Sequence, residues 1–144
     1  MVMPRKMPVE FGLAFPYGAY AVSDVVPVKD YDRSTRDNPI QAVDPDTGLL
    51  LWSVDVVDAD PEAKKSTRML SVKIAARVQP VLPEGKDGTP FTPVEFEKLT
   101  ATAYIEESGD FHRIAWSMRA GEVHEPRRGS RPADAKPPTD KAVA

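Results

Sequence analysis

The side chains that could do chemistry in this chain are few and scattered. There are two histidines, His112 and His124, and no cysteine. Thiolate metal sites, cysteine nucleophiles and disulfide scaffolds are therefore excluded. His112 falls on the apolar side of an alternating segment, where a satisfied or partly buried core residue is expected rather than a base. His124 falls in a polar end segment. No Gly-x-Ser-x-Gly, His-Glu-x-x-His or glycine-rich phosphate loop occurs. Asp44-Pro45-Asp46-Thr47-Gly48 matches only the opening of a calcium loop; it lacks the closing Glu, and Asp-Pro ending in Gly is turn chemistry. Asp55, Asp58, Asp60 and Glu62 could hold Mg²⁺, but no second acidic motif or histidine accompanies them. A solvated connection is the expectation. The residues predict no catalytic centre, no metal site and no cofactor.

What remains is binding. Lys73 and Arg77 share the polar side of one alternating run, and Phe111, Arg113 and Arg119 share the polar side of another. Tyr104 lies on the polar side of the segment between them. If these runs are neighbouring strands, cations and aromatic rings occupy one surface. Single-stranded nucleic acid needs that combination, charge for phosphate and flat rings for base stacking. A long polar loop carrying Tyr31, Arg33 and Arg36 would clasp the same face. Trp52 and Trp116 fall on the apolar sides, where core packing is expected. Arg127, Arg128 and Arg131 could add loose, salt-sensitive phosphate contact.

The elements that must position these residues read as strands. Tyr20, Val22, Val26 and Val28 fall two apart, with Pro27 marking an edge or bulge. Asp30 to Pro39 has no apolar face and is a loop. Ile40 to Val43 and Leu49 to Val57 flank the Asp44–Gly48 turn as a hairpin, with Trp52, Val54 and Val56 on one face. Leu70, Val72, Ile74, Ala76 and Val78 alternate most cleanly of all. A helix would wrap these residues around its circumference, so a strand is predicted. Pro80, Pro83, Pro90 and Pro93 then forbid a helix or central strand. Leu99, Ala101, Ala103 and Ile105 share one side of the next strand, and Ser108-Gly109-Asp110 turns the chain into a last strand, with His112, Ile114, Trp116 and Met118 on its apolar face.

The fold predicted is all-β: a small five-stranded barrel of the oligonucleotide/oligosaccharide-binding (OB) type, or an open barrel, spanning residues 11–120. Residues 1–10 read as a flexible N-terminus. Residues 121–144 read as a proline-rich, charged, disordered tail, too polar to offset its ordering entropy. The 144 residues fit one domain that folds without staples. A net charge of −3 provides no global field toward nucleic acid, so any contact must come from a local basic face. No stretch approaches the roughly 18 apolar residues of a membrane span, and a cytoplasmic location is the default expectation.

Several strings carry a family likeness. They are Phe11-Gly12, Phe15-Pro16-Tyr17-Gly18-Ala19-Tyr20, the run from Val26-Pro27-Val28-Lys29 to Asp37-Asn38-Pro39, and Asp44-Pro45-Asp46-Thr47-Gly48-Leu49. Trp52-Ser53-Val54-Asp55 to Asp60-Pro61-Glu62-Ala63, Pro93-Val94-Glu95-Phe96-Glu97 and Arg113-Ile114-Ala115-Trp116-Ser117 complete the set. With them the chain resembles the plasmid replication, integration and excision activator proteins of actinobacterial mobile elements. The resemblance covers about residues 7–120. It implies a non-catalytic regulator, with DNA or a replication or recombination protein as partner. It brings no catalytic residues with it. The alternative expectation is a protein-interaction module that docks on a replication or transcription protein without touching DNA, for which the acidic run Asp55 to Glu62 speaks.

Overall fold

The computed structural model describes residues 1–84 and 91–127. The strands are β1 (Lys6–Pro8), β2 (Ala19–Ala21), β3 (Val26–Pro27), β4 (Leu51–Asp58), β5 (Met69–Ala75), β6 (Thr92–Glu97), β7 (Thr100–Ser108), β8 (Phe111–Ala120) and β9 (Glu122–His124). Two single-turn helices, α1 (Phe11–Ala14) and α2 (Lys65–Arg68), complete the set. No helix among the described residues is long and apolar enough to cross a membrane. The strands form one sheet in the order β1-β7-β8-β5-β4-β2-β6-β9, with β3 beside β4. It curls into an open half-barrel, so the all-β, open-barrel expectation holds.

Three of the five predicted strands are present as β4, β5 and β8, the other two are each divided, and the predicted Ile40 to Val43 arm forms only isolated bridges. The run from Tyr20 to Val28 divides into β2 and β3. The run from Val94 to Glu107 divides at Lys98, which sits at φ 56°. This left-handed turn in a non-glycine residue is stabilised by its surroundings: the Gly121 amide donates to the Glu97 carbonyl at 2.9 Å, and Leu99 is buried. The break lets β6 pair with β2 while β7 pairs with β8. The two flanks of the curled sheet are thus one chain bent at a corner.

The ordered domain is wider than 11–120. Lys6 to Pro8 pair with Thr100 to Thr102, and β9 pairs with β6 through Glu97↔Glu122 and Glu95↔His124. Residues 128–144, where most of the predicted tail falls, lie outside the described residues.

Alternation decides the core. Trp52, Val54 and Val56 of β4 lie inward against Val72 and Ile74 of β5, with Val94, Phe96, Leu99, Ala101, Met118 and Ala120 around them. Each valine, leucine, isoleucine, phenylalanine or methionine among them contributes about 1.5–3 kcal/mol on full burial. Phe15 closes one end, its ring 6.5 Å from that of Phe96. Trp52 is buried as expected, and its indole N–H donates to the Ala76 carbonyl at 2.9 Å. The β5 strand ends at Ala75, short of the predicted Val78, which is exposed.

Candidate binding groove

The β5 and β8 strands run parallel and share three register pairs: Val72↔Met118, Lys73↔Arg119 and Ile74↔Ala120. Before those pairs the strands part. Met69 to Ser71 of β5 stand on one side of the gap, and the β7–β8 hairpin projects on the other. The gap opens into a groove of about 1670 Å³.

On its polar side the groove brings together four of the expected residues: Lys73, Tyr104, Arg113 and Arg119. Lys73 and Arg119 are register neighbours across the β5–β8 seam. Tyr104 belongs to the same face, because it is paired with Ala115, two residues from Arg113 and four from Arg119. Two-residue alternation does place these side chains on one wall. Arg5 and Lys6 also line the groove, and sequence periodicity gave no signal for them because β1 is only three residues long.

Carboxylates share this wall. Asp44, at the start of the predicted turn, is buried and accepts from Arg119 Nη1 at 3.2 Å, while Lys6 Nζ lies 3.5 Å away and also pairs with Asp46. Burial alone would push the Asp44 carboxyl up. The hydrogen bond from the Asp46 amide, the charges of Lys6 and Arg119 and the Thr47 hydroxyl outweigh it and hold the group below the ordinary aspartate value. Arg113 pairs with Glu106, its register partner on β7, with Nε donating at 2.7 Å. Of the four strand cations predicted to bind, Arg113 and Arg119 therefore have carboxylate partners.

Tyr31, Arg33, Arg36 and Arg77 do not line the groove. The first three sit on a loop closed on itself: Asp30 accepts from the amides of Asp32 and Arg33, and Ser34 both donates to and accepts from Ile40. The part of the long connection that reaches the groove is the Asp44–Asp46 turn, not the expected clasp. Arg77 lies beyond the end of β5 and is exposed. Phe111 stands exposed at the hairpin tip.

Two further expectations are corrected by exposure. His112 is not a core residue: it lies at the tip of the hairpin, exposed, with Nδ1 3.4 Å from Glu107. Trp116 is not packed inside either. It is 56% exposed, beside Ile105 at 68% and Ile114 at 69%. The hairpin extends past the core, so the apolar side of its outer half has nothing to cover.

The acidic run Asp55 to Glu62 forms turns and local bonds. Asp55 accepts from the Ser71 hydroxyl, Asp58 from the Asp60 amide and Asp60 from the Glu62 amide. Burial pushes the Asp58 carboxyl up, and nearby Asp60 adds to this against the opposing Asp60 amide bond and Arg68. No group of three or more potential metal ligands gathers among the described residues.

Against known proteins, no family model, no curated protein and no solved structure matches this chain.

Proposed function

We propose that this protein is a non-catalytic accessory module that binds single-stranded DNA along the polar wall of the β5–β8 groove. One observation carries the reading. The groove gathers Arg5, Lys6, Lys73, Arg113 and Arg119 against Asp44, Asp46, Asp58 and Glu106, a slight local positive excess on a chain of net charge −3. The exposed ring of Tyr104 lies on the same wall. Lys73 supplies unengaged charge, Arg113 can exchange exposed Glu106 for phosphate, and Tyr104 offers a stacking surface. Arg119, tied to buried Asp44, holds the wall together rather than reaching out. The likeness to activators of plasmid replication, integration and excision supports a regulatory role in a mobile element's DNA metabolism, in the cytoplasm.

Anisotropy titrations with labelled single- and double-stranded oligonucleotides test this reading. The expected result is salt-dependent binding that prefers single strands and weakens about tenfold in Lys73→Glu. Absence of binding at low salt rejects it.

The second reading is a docking module for a replication protein. The exposed Ile105, Ile114 and Trp116 side of the hairpin favours it, whereas the turn-forming carboxylates of Asp58 and Asp60 do not. Retention of a replication protein after nuclease treatment, lost in Trp116→Ser, would select it.

A further inference from the structure

The edges of this sheet are not treated alike. The β1 strand is three residues long and ends in Pro8; β3 is two residues and contains Pro27; β9 is three residues. Short strands and prolines are the means by which proteins keep edges from pairing with other chains. Two longer edges stay open among the described residues: that of β7 beyond Thr102, which carries the charged Glu106 and Glu107, and that of β8. The β8 strand spans ten residues, pairs with β7 from Phe111 to Arg119, and on its other side meets β5 only at Met118 to Ala120. From Phe111 to Ser117 that second edge has no partner strand among the described residues, and no proline interrupts it. The apolar face of the same stretch is the exposed stripe of Ile105, Ile114 and Trp116.

We infer that this edge pairs with the same edge of a second copy of the chain, β8 antiparallel to β8 about a twofold axis at Ile114. The free stretch runs from Phe111 to Ser117, and its midpoint is Ile114. A twofold antiparallel ladder centred there sets Phe111 against Ser117 of the second copy, His112 against Trp116 and Arg113 against Ala115. The stretch is used completely, and the ladder stops where β5 takes over. Isologous pairing of this kind is self-complementary by construction.

Charge agrees with it. Arg113 is neutralised by Glu106 of its own hairpin and faces alanine, so the axis does not bring bare cations together. The apolar stripes of the two hairpins become one continuous surface, with the isoleucines at its centre. Nucleic acid does not fit this edge: a row of amides beside isoleucine wants a strand. The free edge borders the groove of the nucleic-acid reading, since Arg113 to Ser117 line it, but the ladder uses backbone amides and the apolar face whereas that reading uses the polar side chains of Lys73 and Tyr104. If both hold, the two polar walls join across the axis.

The absence of cysteine from the chain makes the register directly testable. Opposed residues in an antiparallel ladder lie about 4.5–5.5 Å apart at Cα, within disulfide reach. Ile114→Cys should therefore cross-link to itself under mild oxidation. Phe111→Cys alone should not, because its own copy lies roughly 20 Å away along the ladder, but mixed with Ser117→Cys it should give a heterodimer. Sedimentation of the unmodified protein should show dimer, and Ile114→Lys should return it to monomer with its circular dichroism unchanged. A monomer up to about 1 mM, or cross-linking at 111 as efficient as at 114, overturns the inference. A monomer that still binds single-stranded DNA would overturn the dimer and leave the proposed function standing. A cross-linked dimer that ignores DNA would do the reverse.

Discussion

The β4–β5 meander and the β7–β8 hairpin are built from the same pattern and end in opposite situations. Both are antiparallel pairs with strict alternation, Val54, Val56, Val72 and Ile74 in one, Ile105, Ile114, Trp116 and Met118 in the other. In the first, these four side chains fall to near-zero exposure in one cluster with Phe15, Val94 and Phe96. In the second, Ala101 and Met118 are covered and the outer residues stand in solvent. Alternation determines which side of a strand is apolar. Coverage depends on what the rest of the chain brings to that side, and the hairpin is longer than the layer behind it.

The widest separation between the two regions should appear in large-to-small substitutions. Ile74→Ala should cost about 2–5 kcal/mol in urea unfolding, and the same change at Ile114 should cost less than about 0.5 kcal/mol in dilute protein. Equal costs would mean that the hairpin face is covered after all.

Asp44→Asn comes next, since it strikes the link between the long connection and the groove. Loss of a buried carboxylate that accepts from Arg119 and Lys6 should cost about 1.5–3 kcal/mol at neutral pH. The group's pKa is depressed in the folded state, so its contribution is complete above the unfolded-state value and disappears as pH falls through the folded value. The variant and the parent should therefore converge in strongly acidic urea titrations.

Asp58→Asn should give the smallest change and the opposite sign. Burial raises the Asp58 carboxyl, so the parent is relieved below the unfolded-state value and loses that relief as pH rises through the folded value. Asparagine retains the acceptor for the Asp60 amide and removes the buried charge. A slightly higher urea midpoint at pH 7, vanishing in acid, is the expected outcome.

Much of the architecture was legible because long strands advertise their faces. Val72 and Ile74 had to point inward together, and the Asp44–Gly48 and Gly109-Asp110 turns announced themselves by residue type. Lys98 gave no such signal: no glycine or proline marks the corner, which exists because β2 and β8 each need a flank. Strands of three residues, β1 and β9, are too short to show a period. At the candidate site, periodicity placed Lys73 and Arg119 on one wall but said nothing of Asp44. That carboxylate reads locally as a turn former, and its pairing with Arg119 spans more than half the chain. Tyr31, Arg33 and Arg36 were grouped with the wall by composition alone, whereas their loop is closed by Asp30 and Ser34.

The parallel seam between β5 and β8 also shapes how the molecule comes into being. Its partners are separated in sequence by β6 and β7, whereas the β4–β5 and β7–β8 ladders join neighbouring segments. Local ladders form on microsecond scales, and contacts that close a long loop must wait until that loop's entropy has been overcome. The seam is short, so it offers little reward to an early encounter. The two hairpins should therefore be present before they are joined, and the joining step should limit the folding rate. A substitution at Met118, which lies in the seam, would then slow refolding more than one at Val54, inside the first-formed meander.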